Sequence, residues 1–349
     1  MRKLLVICFS LLLFAFGQSF AQSNVNQASG EIDIHTESPV VHPTHIYYPV
    51  YFDVSPPLRD LPAEENKGKI KRTTDKRTPK HKFTTRPDAP YGEDPIRQKG
   101  FVASKATPII VADFAGQTNN SFPPDCNGAV GPSHFFQCYN TQYTIYDKTG
   151  TIVAGPTNFN TLFTGVTGAT YNDGDPIILW DEQASRWFAA EFSISGSNDY
   201  MLIAVSQTSD PTGSWYRWSF DVDDTPDYMK FGVTEDAYTM ATNTYGGDDV
   251  YAFDRATMLT GGASPTMIGF DNPNRPTTGS GFHCIMPVDV DGAYPPAGTP
   301  EMFLTINDGA WGGSDQLWYY ELDPNWSTPS ASTFARVQQI SVSAFDAVF

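Results

Sequence analysis

Three times in about a hundred residues, an aspartate beside a proline or a cysteine opens a short apolar strand. The segments are Pro124-Asp125-Cys126-Asn127-Gly128-Ala129-Val130, Asp175-Pro176-Ile177-Ile178-Leu179-Trp180 and Pro226-Asp227-Tyr228-Met229-Lys230-Phe231. The aspartates stand 50 and 52 residues apart. A repeat of that length whose unit holds several short strands is the mark of a β-propeller, in which each unit is one four-stranded antiparallel blade. The first strand of each blade borders the central channel, so a residue at its head contributes to a ring at the channel mouth. Asp125, Asp175 and Asp227 are therefore expected to meet in space.

Four units superimpose on this plan, each reading strand, turn, strand, turn, strand, loop, strand. The first runs from Asp125 through 134–140 and 143–147 to 151–153. The second uses 176–180, 186–192, 200–205 and 214–220; the third 229–233, 237–243, 249–254 and 265–270; the fourth 284–290, 301–307, 316–322 and 335–342. From Pro108 onward, short apolar runs alternate with Gly, Asp, Asn and Pro, and no helical periodicity is sustained. The expected fold is all-β, a propeller of about four blades over residues 101–349. Five to eight blades are common in this architecture. The apolar residues Ser343 to Phe349 offer no closing strand, so the domain is expected to be the N-terminal part of a longer propeller.

The preceding residues divide in two. Arg2 and Lys3 precede an apolar run from Leu4 to Phe16, and Ser19-Phe20-Ala21 supplies a small-residue cleavage site, so residues 1–21 read as a secretory signal peptide. The run is short for a spanning helix of ~20 apolar residues. No later stretch reads as a transmembrane segment, so the mature protein is expected to be secreted or on the cell surface. Residues 22–100 read as an extended, Pro-containing leader and basic linker, with one strand near 46–52. Residues 67–99 hold 11 of the 22 Lys and Arg, whereas residues 101–349 hold 8 basic against 28 acidic side chains. An acidic body repels phosphate backbones, which argues against nucleic acid as its partner.

Four cysteines are present, and Cys8 falls in the signal peptide. Cys126 and Cys138 flank the turn Gly131-Pro132-Ser133-His134, and a hairpin centred there would set them on neighbouring strands in a compartment that permits disulfides. The pair is carried forward as a disulfide candidate, with Cys284 left over.

The stretch Pro123-Pro124-Asp125-Cys126-Asn127-Gly128-Ala129-Val130-Gly131-Pro132-Ser133-His134 resembles the opening motif of a large family of uncharacterised secreted bacterial proteins. Gly174-Asp175-Pro176, Arg186-Trp187, Ala204 to Gly213, Lys230-Phe231-Gly232-Val233 and Ala252-Phe253-Asp254-Arg255 are similar in the same order. The resemblance spans residues 100–349 and implies a chain continuing into further blade-like sequence, but it brings no activity with it. Cys126 and Cys138 depart from the family pattern. A second likeness, Thr208 to Trp215, is similar to a degenerate Asp-box, the hairpin turn of sialidase-like propellers, where it is structural.

Two histidines beyond residue 101, His134 and His283, leave little material for a nucleophile–base triad. No Gly-x-Ser-x-Gly, phosphate-cradling glycine loop or His-Glu-x-x-His occurs. Carboxylates are the remaining chemical groups. Asp125, Asp175 and Asp227 can cap turns by accepting backbone hydrogen bonds, bind a hard cation such as calcium, or act in pairs on a glycosidic bond. The leading expectation is a binding module for a glycan or an extracellular protein; the alternative is a carbohydrate-active hydrolase using the channel-mouth carboxylates.

Overall fold

A computed structural model describes residues 38–63, 110–118, 121, 123–195, 198–244, 247–276, 284–296 and 298–345. The expected signal peptide, the basic run 67–99, His283 and the last four residues lie outside the described residues.

Each repeat unit becomes one antiparallel meander. Between residues 38 and 63 lie β1 (His45–Tyr47) and β2 (Tyr51–Val54). The first meander is β3 (Asn127–Val130), β4 (His134–Tyr139), β5 (Gln142–Asp147) and β6 (Ile152–Asn158). The second is β7 (Gly174–Asp181), β8 (Arg186–Ser195), β9 (Asn198–Ser206) and β10 (Trp215–Val222). The third is β11 (Lys230–Val233), β12 (Ala237–Ala241), β13 (Val250–Asp254), the short helix α1 (Arg255–Leu259) and β14 (Met267–Phe270). The fourth is β15 (Met286–Pro287), β16 (Glu301–Asn307), β17 (Gln316–Asp323) and β18 (Thr333–Ser341). Spatial order follows chain order within each sheet, with β2 added beside β10 and β1 beside β14. The result is all-β, four antiparallel sheets of four or five strands.

The sheets stack through three cores. In β8, Trp187 and Ala189 point into a cluster shared with the first sheet, while Phe188, Ala190 and Phe192 point into one shared with the third. A strand buried on both faces needs apolar residues at every position, which explains the unbroken run from Trp187 to Ala190. Trp187, Trp215 and Trp218 are fully buried, each contributing about 3 kcal/mol of apolar transfer. A third cluster, with Ile268 and Phe270 on one side and Phe303, Tyr320 and Phe334 on the other, joins the third and fourth sheets.

The segment 38–63 was expected to give one strand; it gives two, in different sheets. It runs along the outer strands in reverse order. Val41 exchanges both backbone hydrogen bonds with Phe334 on β18, β1 pairs with β14, and β2 pairs with β10 from Tyr216↔Val54 to Ser219↔Tyr51. Leu58 then plugs the core between the first two sheets. Covering an outer strand removes a row of unpaired backbone groups. The strap is also tied electrostatically: Asp53 forks onto the buried Arg217 at 2.8 and 2.6 Å, and Arg217 also donates to the carbonyls of Leu162 and Thr164.

The disulfide expected between Cys126 and Cys138 is not made; both are free thiols, Cys126 exposed and Cys138 buried. The hairpin forms, but its register pairs Cys138 with Asn127. Cys126 falls one residue before β3 and outside the paired register, exposed at the head of the strand.

Candidate functional site

The three repeat aspartates stand at the heads of the first strands of three sheets, and the chain brings them together. Asn140, at the end of β4, is the hinge pin. Its amide nitrogen donates to Asp125 Oδ2, its side-chain oxygen accepts from the Asp175 backbone N–H at 2.8 Å, and its own backbone N–H donates to the Pro124 carbonyl. Asp175 Oδ2 in turn accepts from the Tyr228 N–H at 3.3 Å. In the third sheet Asn243 N–H donates to the Asp227 carbonyl at 2.8 Å, so an asparagine just past the second strand closes on the head of the first strand in both units.

The backbone here is unusual. Among the described residues, the non-glycine residues with positive φ are Asp125 (39°), Asp175 (54°), Ser185 (52°) and Tyr228 (54°), three of them at this site. Aspartate tolerates the left-handed region because its short side chain can bond locally; tyrosine has no such help. Gly174, at φ 115°, is obligatory: a Cβ would stand 2.5 Å from Asn140 Oδ1.

A cation sits among these carboxylates. Lys230, the first residue of β11, lies with its ammonium 3.5 Å from the centroid of the Tyr228 ring and donates to the Met229 carbonyl at 3.2 Å. Burial lowers its pKa, while Cys284, Asp175, Asp125 and Asp227 pull it back up. Lysine thus sets a positive charge within coulombic reach of all three carboxylates. Cys284 holds the equivalent head position in the fourth sheet, its Sγ 3.9 Å from the Tyr228 carbonyl. Burial pushes its thiol up to about 12, against the pull of Lys230. Among the described residues no group of three or more His, Cys, Asp or Glu side chains is arranged to hold a metal ion.

Behind the site lies Glu191, on the face of β8 turned to the first sheet. It is fully buried, and the backbone of Gly174 is the hydrogen-bonding group that faces its carboxyl. Burial drives its pKa well above the usual range, Asp173 and Asp175 add to the rise, and the Gly174 backbone opposes it. Burial likewise raises the neighbouring Cys138 thiol, with Glu191 contributing. A protonated Glu191 here avoids the cost of a buried bare carboxylate.

The Asp-box-like turn joins β9 to β10. Asp210 Oδ1 accepts from Thr212 N–H at 2.9 Å and Thr212 Oγ1 at 2.7 Å, and the Trp215 indole donates to the Pro211 carbonyl. The same turn also bonds outward: Arg59 donates from its guanidinium to Asp210 Oδ2 and Thr212 Oγ1, the Leu58 N–H donates to the Gly213 carbonyl, and the Trp187 indole donates to the Ser209 carbonyl.

Sequence reasoning found the three aspartates and missed Asn140, Lys230 and Glu191. The signals were present: a lone lysine entering an apolar strand, a glutamate inside one, and an asparagine recurring after second strands.

No protein-family model, no curated protein and no solved structure matches the chain. Among the described residues no helix is long and apolar enough to cross a membrane.

Proposed function

We propose that the four sheets are successive blades of a β-propeller, and that the chain is a secreted or cell-surface module binding a glycan at the mouth formed by Asp125, Asp175, Asp227, Tyr228 and Lys230. The observation that carries this reading is that three aspartates related by spacing converge around one lysine and one half-exposed aromatic ring. Sugar hydroxyls donate to carboxylates and accept from an ammonium, and a tyrosine face packs on a pyranose ring. Export rests on the charged, apolar and small-residue regions of residues 1–21, and the resemblance to secreted bacterial proteins supports the same address.

A glycan array probed with the full-length protein tests this, alongside Lys230→Met and Tyr228→Gly. The glycine relieves the positive-φ backbone while deleting the ring. Binding that falls at least tenfold in both variants, with unchanged circular dichroism, supports the mouth as the site. Binding indifferent to both changes, or no glycan bound at all, overturns it. Products released from the same glycans would favour instead the hydrolytic alternative.

A further inference from the structure

The strap is stitched to three sheets, and its middle stitch carries a histidine. β1 pairs with β14 through only three residues, His45 to Tyr47, so side chains must add to the ladder. His45 stands between two carboxylates from different connections. Its Nε2 lies 2.9 Å from Asp223 Oδ2, in the link from β10 to β11, and its Nδ1 lies 3.0 Å from Asp248 Oδ2, in the link from β12 to β13. The Tyr47 hydroxyl donates to the same Asp248 oxygen at 3.0 Å. Ionised carboxylates only accept, so each of the two histidine contacts needs a hydrogen, and a neutral imidazole carries one. The second hydrogen is an added proton, held on Nδ1 or on Asp248 Oδ2 between the two groups. With it, both contacts are hydrogen bonds. Without it, a nitrogen lone pair faces a carboxylate and the charges of Asp223 and Asp248 stand uncompensated.

We propose that this shared proton is a pH-sensitive latch on the strap: with the proton bound, β1 is held on the third sheet, and its loss frees β1 while β2 stays in place. Burial raises the Asp248 pKa against the hydrogen bonds from His45 and Tyr47, and Asp223 adds to the rise. The Asp248 side chain is 1% exposed, so water does not replace a lost bond there, whereas His45 at 43% gives the proton a route to solvent. Burial and Asp248 keep the Tyr47 hydroxyl protonated, so it adds no pH dependence. The other charged and titratable neighbours are Asp224, Asp249, Tyr251 and Arg275. Arg275 is committed to Asp249 and Asp271 at 2.9 and 2.7 Å, and Tyr251 donates to the Asp248 carbonyl, so none of them replaces the lost charge. Docked β1 holds a proton that released β1 gives up. Attachment is therefore strongest in acid and weakens as pH rises through the range in which histidine and a raised carboxyl titrate. The second strand of the strap is held by the Asp53–Arg217 fork and needs no such proton.

Hydrogen exchange on the full chain, followed by mass spectrometry from about pH 5 to about pH 9 and corrected for the intrinsic pH dependence of exchange, reads the two stitches separately. Protection of β1 and β14 relative to β2 and β10 is expected to fall by about tenfold or more across that range, as the loss of one charge-assisted hydrogen bond implies. Two variants flatten this ratio in opposite directions. His45→Gln removes the titrating ring and is expected to hold the ratio near its alkaline value. Asp223→Asn, at a position 61% exposed, lets a neutral ring satisfy both nitrogens, since the new amide donates to Nε2 while Nδ1–H donates to Asp248; the ratio is expected to stay near its acidic value. A wild-type ratio constant with pH, whether both stitches hold or loosen together, overturns the proposal, as does a fall that survives in either variant.

Discussion

Glu301 offers a test in which sign and size both follow from its surroundings. It opens β16, is 4% exposed, and lies against the β11–β12 turn. Burial raises its pKa from 4.5 to about 7; the Thr234 hydroxyl opposes the rise and Asp236 adds to it. Between those two values the folded chain keeps the proton and the unfolded chain has lost it, so folding takes up a proton there. Stability is therefore complete below about pH 4.5, falls as pH rises through the window, and levels off above about pH 7. At 1.36 kcal/mol per pKa unit the fall amounts to about 3 kcal/mol. Glu301→Gln keeps the volume and neutrality of the protonated acid and removes the titration. Guanidinium unfolding of both proteins from pH 4 to pH 8 isolates this group, because the other raised carboxyls, Asp248, Asp289 and Glu191, cancel in the difference. The variant is expected to match the wild type at pH 4 and to exceed it by about 3 kcal/mol at pH 8. A difference that does not vary with pH, or a variant less stable at pH 8, refutes the reasoning.

Gly174→Ala places a methyl 2.5 Å from Asn140 Oδ1 at φ 115°, and is expected to cost about 1–3 kcal/mol in denaturant unfolding; a loss below a few tenths would mean that Asn140 does not fix the head of β7. Asp53→Asn leaves the Arg217 guanidinium, 3% exposed, without its counter-charge. The expected loss is about 3 kcal/mol, and a midpoint unmoved in guanidinium would mean that the strap adds nothing to stability. Because Asn140, the Tyr228 N–H and Lys230 already serve the clustered carboxylates, a chelator is expected to leave the melting temperature unchanged; a drop of several degrees would reveal a bound divalent ion such as calcium.

The repeat was legible because it is written in local chemistry. Asp beside Pro, and Gly before Asp, punctuate the chain wherever they fall, and alternating apolar runs mark strands that two neighbouring sheets bury. Strands β1 and β2 were harder to see. Tyr51 to Val54 acquire their conformation from β10, more than 160 positions away, and an outer strand paired mainly through its backbone needs no distinctive pattern of its own. The failed disulfide has the same origin in reverse. The spacing of Cys126 and Cys138 did suit a hairpin, but the pairing begins at Asn127 and leaves Cys126 outside it, and spacing alone does not reveal where a ladder starts. Lys230 and Glu191 were masked by the apolar strands that contain them, since the need for each arises only from carboxylates and sheets distant in sequence.

The backbone at Asp125, Asp175 and Tyr228 bears on whether these aspartates are there for the fold alone. If turn geometry were the whole requirement, glycine would meet positive φ at Asp125, Asp175 and Tyr228 with least strain, as it does at Gly174 next door. The chain instead keeps two carboxylates and an aromatic ring there, at about 1 kcal/mol or more for each non-glycine residue so held. Asp125 and Asp175 recover part of this through Asn140 and the Tyr228 N–H. A tyrosine hydroxyl, at the far end of its ring, is too distant to bond its own turn backbone as an aspartate does; the Tyr228 ring lies 40% exposed beneath the Lys230 ammonium. Folding accounts for the aspartates, at least in part. It does not account for the tyrosine, and Tyr228→Gly separates the two requirements: a stabler protein with a weaker ligand site is the outcome that strain retained for binding demands.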